Sequence, residues 1–180
     1  MRRVAVPILL ALVPLVAQAA RGPSTPEERK RAVEITRRLE REPLARSSID
    51  DRKWLFQWIV DIPDIHVLSC RGPLDVLQRD EEDPYGQILW VQSVFGMAAY
   101  LVEHPKKKDD WAAVQIAGIE SVLRAYESLR RADSGARWKE LDRLVAAQKA
   151  GKLRAVVKKE MAECGTPEED RMGPLPRDAI

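Results

Sequence analysis

Cysteine and histidine are scarce in this chain, two of each in 180 residues. That scarcity bears on chemistry at once, because a metal centre built by one chain needs three or four donors close together. Charge of one sign is missing too: 30 Lys plus Arg stand against 28 Asp plus Glu. No net field therefore draws the protein to nucleic acid or to an anionic membrane. The sequence contains no Gly-rich phosphate loop, no Gly-x-Ser-x-Gly elbow, no His-Glu-x-x-His pair and no Cys-x-x-Cys. The landmarks of phosphate loops, α/β-hydrolases, zinc proteases and thiol exchange are absent with them, and no cofactor is implied. Alternating strand patterns are almost absent. What is present, 45% hydrophobic and 32% charged residues, suits one folded domain.

The first residues have the order of an export signal. Arg2 and Arg3 lead, residues 4–16 are apolar, and Ala17-Gln18-Ala19 offers small residues at the positions a signal peptidase reads. The expectation is cleavage after Ala19, with residues 1–19 as the leader. The apolar stretch falls short of the roughly 20 residues that span a bilayer, and Pro7 and Pro14 interrupt it, so no permanent membrane anchor is expected after processing. No Cys follows the cleavage site to carry a lipid. Loss of Arg2 and Arg3 takes the formal charge from +2 to zero. A secreted or periplasmic protein is expected.

Export changes how the cysteines read. In an oxidising compartment Cys70 and Cys164 are the only available pair, so one intramolecular disulfide is the leading assignment. They stand 94 positions apart, and closing so long a loop is worth up to about 4.7 kcal/mol in the chain-entropy picture. A redox or nucleophilic thiol and a metal ligand are the alternatives.

The rest of the chain reads as helix after helix. Thr25, Pro26 and Glu28 have capping-box spacing, and Ala32, Ile35 and Leu39 follow at helical intervals up to about Arg41. Ser47 and Ser48 precede Asp50 and Asp51, then Trp54, Leu55, Trp58, Ile59 and Ile62 recur at one helical face until Pro63. Residues 65–70 fit either a short extended segment or a helical turn. Residues 71–83 read as a solvated connection with one turn at 74–77. From 87 to 102 the chain carries no charge, which marks a helix buried around most of its circumference. His104 and Pro105 stop it, the imidazole capping free carbonyls. A fourth helix runs from Trp111 to about Arg131 with Val114, Ala117, Ile119 or Val122, Tyr126 and Leu129 inward and Arg124, Glu127, Arg130 and Arg131 in water. A fifth carries Trp138, Leu141, Leu144 and Val145 to Gly151, and a sixth carries Leu153, Val156, Val157 and Met161 to Cys164. Residues 165–180, rich in Pro and Gly without an apolar period, read as a flexible tail. The expected architecture is an all-α single-domain bundle of five to six helices over residues 20–164. Helix starts near 86, 110 and 136 keep no 34-residue repeat.

Few residues suggest a site. Asp61, Asp64 and His66 gather two carboxylates and an imidazole around a proline-broken helix end, where a general base or metal ligands would sit in a metal-dependent hydrolase; a helix stop with solvated acids is the simpler reading and ranks ahead of it, since no second ligand spacing such as His-x-x-x-His accompanies them. Trp54 and Trp58 lie one turn apart and form a candidate binding surface if either ring is exposed, against the simpler reading as core. Gly96 with Ala99, and Ala113 with Ala117 and Gly118, allow two helices to approach closely. Arg37, Arg38 and Arg41, interleaved with Glu34, Glu40 and Glu42, read as a salt-bridged solvated face. The run Gly-Met-Ala-Ala-Tyr-Leu-Val-Glu-His-Pro at 96–105, with the Ala-rich helix after it, resembles the helix pair of Tai-type periplasmic immunity proteins of type VI secretion. The cysteine pattern of those proteins is missing here, so the resemblance assigns no binding residue. The functional expectation is a macromolecule-binding module with a protein partner, ahead of the hydrolase and of a chaperone-like stress protein.

Overall fold

Thr25 starts the first helix as its spacing predicts. Its hydroxyl accepts from the Glu28 N–H while the Glu28 carboxylate accepts from the Thr25 N–H, a reciprocal capping box at the head of α1 (Pro26–Arg41). The computed structural model describes residues 21–70, 72–79 and 83–161. The expected leader, the expected tail and Cys164 lie outside them. The described residues are all-helical, with no strand: α1 is followed by α2 (Ser48–Asp61), α3 (Pro84–Glu103), α4 (Trp111–Ala132), α5 (Lys139–Lys149) and α6 (Leu153–Glu160). Six α-helices stand at the upper end of the expected number, and two 3₁₀ helices, Gly72–Gln78 and Pro105–Lys107, add to it.

The α3–α4 hairpin is the frame. Its helices touch through residues too small to keep them apart: a Cβ added to Gly96 would lie 2.3 Å from the Ser121 Cβ, and one on Gly118 would lie 2.7 Å from the Met97 Cγ and 2.8 Å from the Ser93 carbonyl oxygen. Two apolar clusters flank this hairpin. One gathers Ile35, Leu39, Leu55, Trp58, Phe95 and Met97 from α1, α2 and α3. The other gathers Leu77, Leu89, Leu123, Tyr126, Leu141 and Val157 from the 3₁₀ segment, α3, α4, α5 and α6. The uncharged stretch of α3 serves both, with Leu89 in one cluster and Phe95 and Met97 in the other.

Local details depart from the expectations in three places, and residues 65–70, left open between an extended segment and a helical turn, are a fourth point of detail. The Ser47 side chain makes no cap for α2; the Ser48 hydroxyl donates instead to the Glu42 carbonyl at 2.7 Å, and Asp51 accepts two hydrogen bonds from Arg38 at 2.7 and 2.8 Å. Asp83, read as the end of a solvated connection, caps α3 by accepting from the N–H groups of Tyr85 and Gly86. Residues 65–70 take no regular secondary structure, and Gln115 of α4 holds them, donating to the Leu68 carbonyl and accepting from the Cys70 N–H. Glu40 is buried, and so is not part of the solvated face expected of α1. His104 behaves as expected: its Nδ1 lies 3.1 Å from the Tyr100 carbonyl oxygen at the end of α3, with the ring stacked on Tyr100.

Candidate binding surface

Helix α2 is apolar on two opposite sides, and this sets it apart from its neighbours. A helix advances about 100° per residue. Leu55, Trp58 and Ile62 fall on the side facing the core and are buried. Ile49, Phe56 and Val60 share an arc of about 40° on the other side and are 53%, 50% and 64% exposed. The stem of Lys53 lies on the edge of the same arc, so its methylenes extend the apolar strip while its ammonium stays in water. Single exposed apolar residues are ordinary on a protein surface. Three on one face of one helix make a patch. Leu44 and Leu68, in the connections before and after α2, are the other large hydrophobic side chains exposed among the described residues.

The tryptophans proposed as a contact are placed otherwise. Trp58 is buried, stacked at 6.0 Å on Trp54, and its indole Nε1 finds no hydrogen-bond partner among the described residues. Trp54 is half-buried against the same cluster, with the Arg31 guanidinium 4.0 Å above its ring. The pair joins α1 to α2, and the exposed aromatic ring of α2 is Phe56, two residues from each of them.

Asp61, Asp64 and His66 do not converge. Asp64 accepts from the Ser24 N–H at 2.8 Å, from the Ser24 hydroxyl at 2.7 Å and from Arg29 at 2.7 Å. Burial raises its pKa, and the hydrogen bonds from Ser24 and Arg29 outweigh that, leaving it below the ordinary carboxylate value. These bonds make Asp64 a clamp that fastens the segment before α1 to the turn after α2. Asp61 accepts from Gln57 and lies 3.7 Å from Arg21. His66 is exposed. No group of three His, Cys, Asp or Glu suited to a metal occurs among the described residues.

One polar cluster escaped the sequence reading. The Glu40 carboxylate, inside the bundle, accepts two bonds from Arg124 at 2.8 Å, one from the Ser121 hydroxyl at 2.7 Å and one from Arg37 at 2.9 Å. Gln92 of α3 adds a bond to the Ser121 oxygen at 2.9 Å. Burial pushes the Glu40 pKa up, but the bonds from Arg124 and Ser121 outweigh it, so the group stays ionised below its usual range. With its lone pairs occupied, this carboxylate is a junction between α1, α3 and α4 and is not poised as a base. The signal was unreadable in one dimension, because Glu40 and Arg124 lie 84 positions apart.

No protein-family model matches the chain, and no curated protein or solved structure gives a significant match. No helix among the described residues is long and apolar enough to cross a membrane.

Proposed function

We propose that this chain is a secreted or periplasmic helical module that binds a protein partner through the outer face of α2, without catalysis of its own. The observation that carries the reading is the strip Ile49, Phe56 and Val60, half or more exposed on a helix whose other side already supplies the core. Apolar anchors rimmed by charged and polar groups are the usual centre of a protein contact, and Asp50, Lys53, Gln57 and Asp61 supply such a rim here. The engagement of Asp64 by Ser24 and Arg29 as a structural clamp favours this reading over the hydrolase one.

The test is capture from the envelope fraction with the chain beginning at Ala20 as bait, beside a Phe56→Asp, Val60→Asp double variant and a Lys158→Asp control on α6. A partner bound in stoichiometric amount, lost with the double variant and kept with the control, is expected. Equal capture by all three baits would remove α2 from the account.

The export reading brings the Cys70–Cys164 bond with it. No described cysteine carries a free thiol. Met161, three residues before Cys164, is buried in the same cluster as Cys70, and three residues reach about 10 Å. Thiol labelling of unfolded, unreduced protein taken from the periplasm is expected to find none, and Cys70→Ser to lower stability by about 2–5 kcal/mol. Two labelled thiols would reject the bond.

A further inference from the structure

The stretch between α2 and the first 3₁₀ segment is held along one edge of its backbone and open along the other. Residues 65–70 run without helix, turn or bend. The Gln115 side-chain amide spans two of their backbone groups, donating to the Leu68 carbonyl and accepting from the Cys70 N–H. One amide reaches both because in an extended chain the polar groups of residues i and i+2 point to the same side. Those of Val67 and Ser69 then point the opposite way, and neither residue makes a hydrogen bond among the described residues. Their edge is accessible: His66, Leu68 and Ser69 are exposed, Leu68 to 48%, and Val67 is half-buried. An extended stretch with open N–H and C=O groups is a template for a second extended chain.

The open edge complements itself. In an antiparallel pair, facing residues that exchange both N–H···O bonds alternate with facing residues that exchange none. Two copies related by a two-fold axis at Leu68 set Val67 of each against Ser69 of the other, which makes four hydrogen bonds in all. Leu68 then faces Leu68 of the second copy in the pair without hydrogen bonds, where Cα atoms come within about 4.5 Å and side chains are closest. The inner groups stay with Gln115. A register centred on Val67 needs the edge at Ile65, which is buried, so the accessible part of the edge selects Leu68. We propose that two copies of this chain associate through residues 66–69 as an antiparallel strand pair about a two-fold axis at Leu68. Each copy closes the other's edge. The contact is small beside a standard interface of roughly 800 Å² per partner, so the dimer forms at high concentration and parts on dilution. It is independent of the reading of α2 and uses none of Ile49, Phe56 or Val60.

The experiment is sedimentation equilibrium up to about 1 mM on protein purified after expression of residues 1–180, with amide exchange followed residue by residue. A reversible monomer–dimer equilibrium is expected, with exchange at Val67 and Ser69 slowed several-fold at high concentration and exchange at Leu68, whose N–H lies on the inner edge, unchanged. Ser69→Pro removes an outward N–H and suits an extended chain; for the two hydrogen bonds lost it is expected to weaken association about tenfold or more. Leu68→Asp sets two like charges face to face and is expected to abolish the dimer, whereas Lys158→Asp is expected to keep it. Circular dichroism checks that each variant is as helical as the parent, and if one is not, exchange in the parent decides by itself. Monomer at every concentration, or a dimer without slowed exchange at Val67 and Ser69, would overturn the pairing. A dimer kept by Ser69→Pro and lost with Phe56→Asp, Val60→Asp would place the contact on α2 and overturn it equally.

Discussion

Helices α2 and α3 are both rich in large apolar side chains, yet only α3 has somewhere to put them all. Helix α3 packs against α1, α2, α4 and the 3₁₀ segment Gly72–Gln78, and Leu89, Phe95, Met97 and Leu101 are buried. Helix α2 packs against α1 and α3 on one side, and its other side keeps Ile49, Phe56 and Val60 in water. Burying an apolar side chain stabilises a fold by roughly 1.5–3 kcal/mol, so an uncovered strip is stabilisation left unused by the bundle. A partner that covers it gains what the fold did not take. Similar composition thus has two meanings, and coverage decides between them.

The largest expected effects test whether the inner side of α2 is core in the same sense as α3. Leu55→Ala and Leu89→Ala, both at fully buried positions, are each expected to cost about 2–5 kcal/mol in urea unfolding. A loss below about 1 kcal/mol for Leu55→Ala would mean that α2 is only loosely docked.

Next comes the junction that fixes α3 to α1 and α4. Glu40→Ala strips Arg124 and Ser121 of their shared acceptor, and a loss of about 3 kcal/mol is expected, the low end for a broken buried pair because Arg124 keeps access to water. The pH dependence has a definite sign. The folded carboxyl is held below its unfolded value of 4.5, so its contribution is complete above about pH 4.5 and is lost as pH falls through the folded pKa, where the unfolded chain takes up the proton first. Glu40→Gln, which cannot ionise, is expected to unfold at lower stability near neutrality with a shallower acid slope. An unchanged slope would show that Asp51, Asp64 and Asp142, each also held low by arginine or hydroxyl partners, carry the acid response.

A smaller effect concerns the close approach within the frame. Gly96→Ala places a Cβ against Ser121 and is expected to cost about 1–3 kcal/mol, the range for overpacking; Gly22→Ala, where a Cβ meets nothing within 4 Å, serves as its control.

The helices were legible because their ends are chemically marked. Thr25 with Glu28, Pro63, His104 with Pro105 and Gly151 all stand at boundaries, and Gly151 has the left-handed φ of +68° that suits a helix end. The inward positions of α2 were legible from their recurrence. Its outward strip was not, since a helix apolar on both sides gives no contrast from which to choose a wet face. The tryptophans drew attention by size, and the structure turns that size inward at Trp58. Glu40 was misplaced for a related reason: neighbouring arginines in sequence suggested solvated pairs, whereas its partners Arg124 and Ser121 arrive from another helix through tertiary packing.

The central claim is that the outer strip of α2 lies outside the core of the fold. The direct measurement is urea unfolding of a Phe56→Ser, Val60→Ser double variant of the chain beginning at Ala20. The account predicts stability within about 0.5 kcal/mol of the parent, as for surface positions, with the denaturant slope unchanged. A loss of about 2 kcal/mol or more would place those side chains in the core and contradict it.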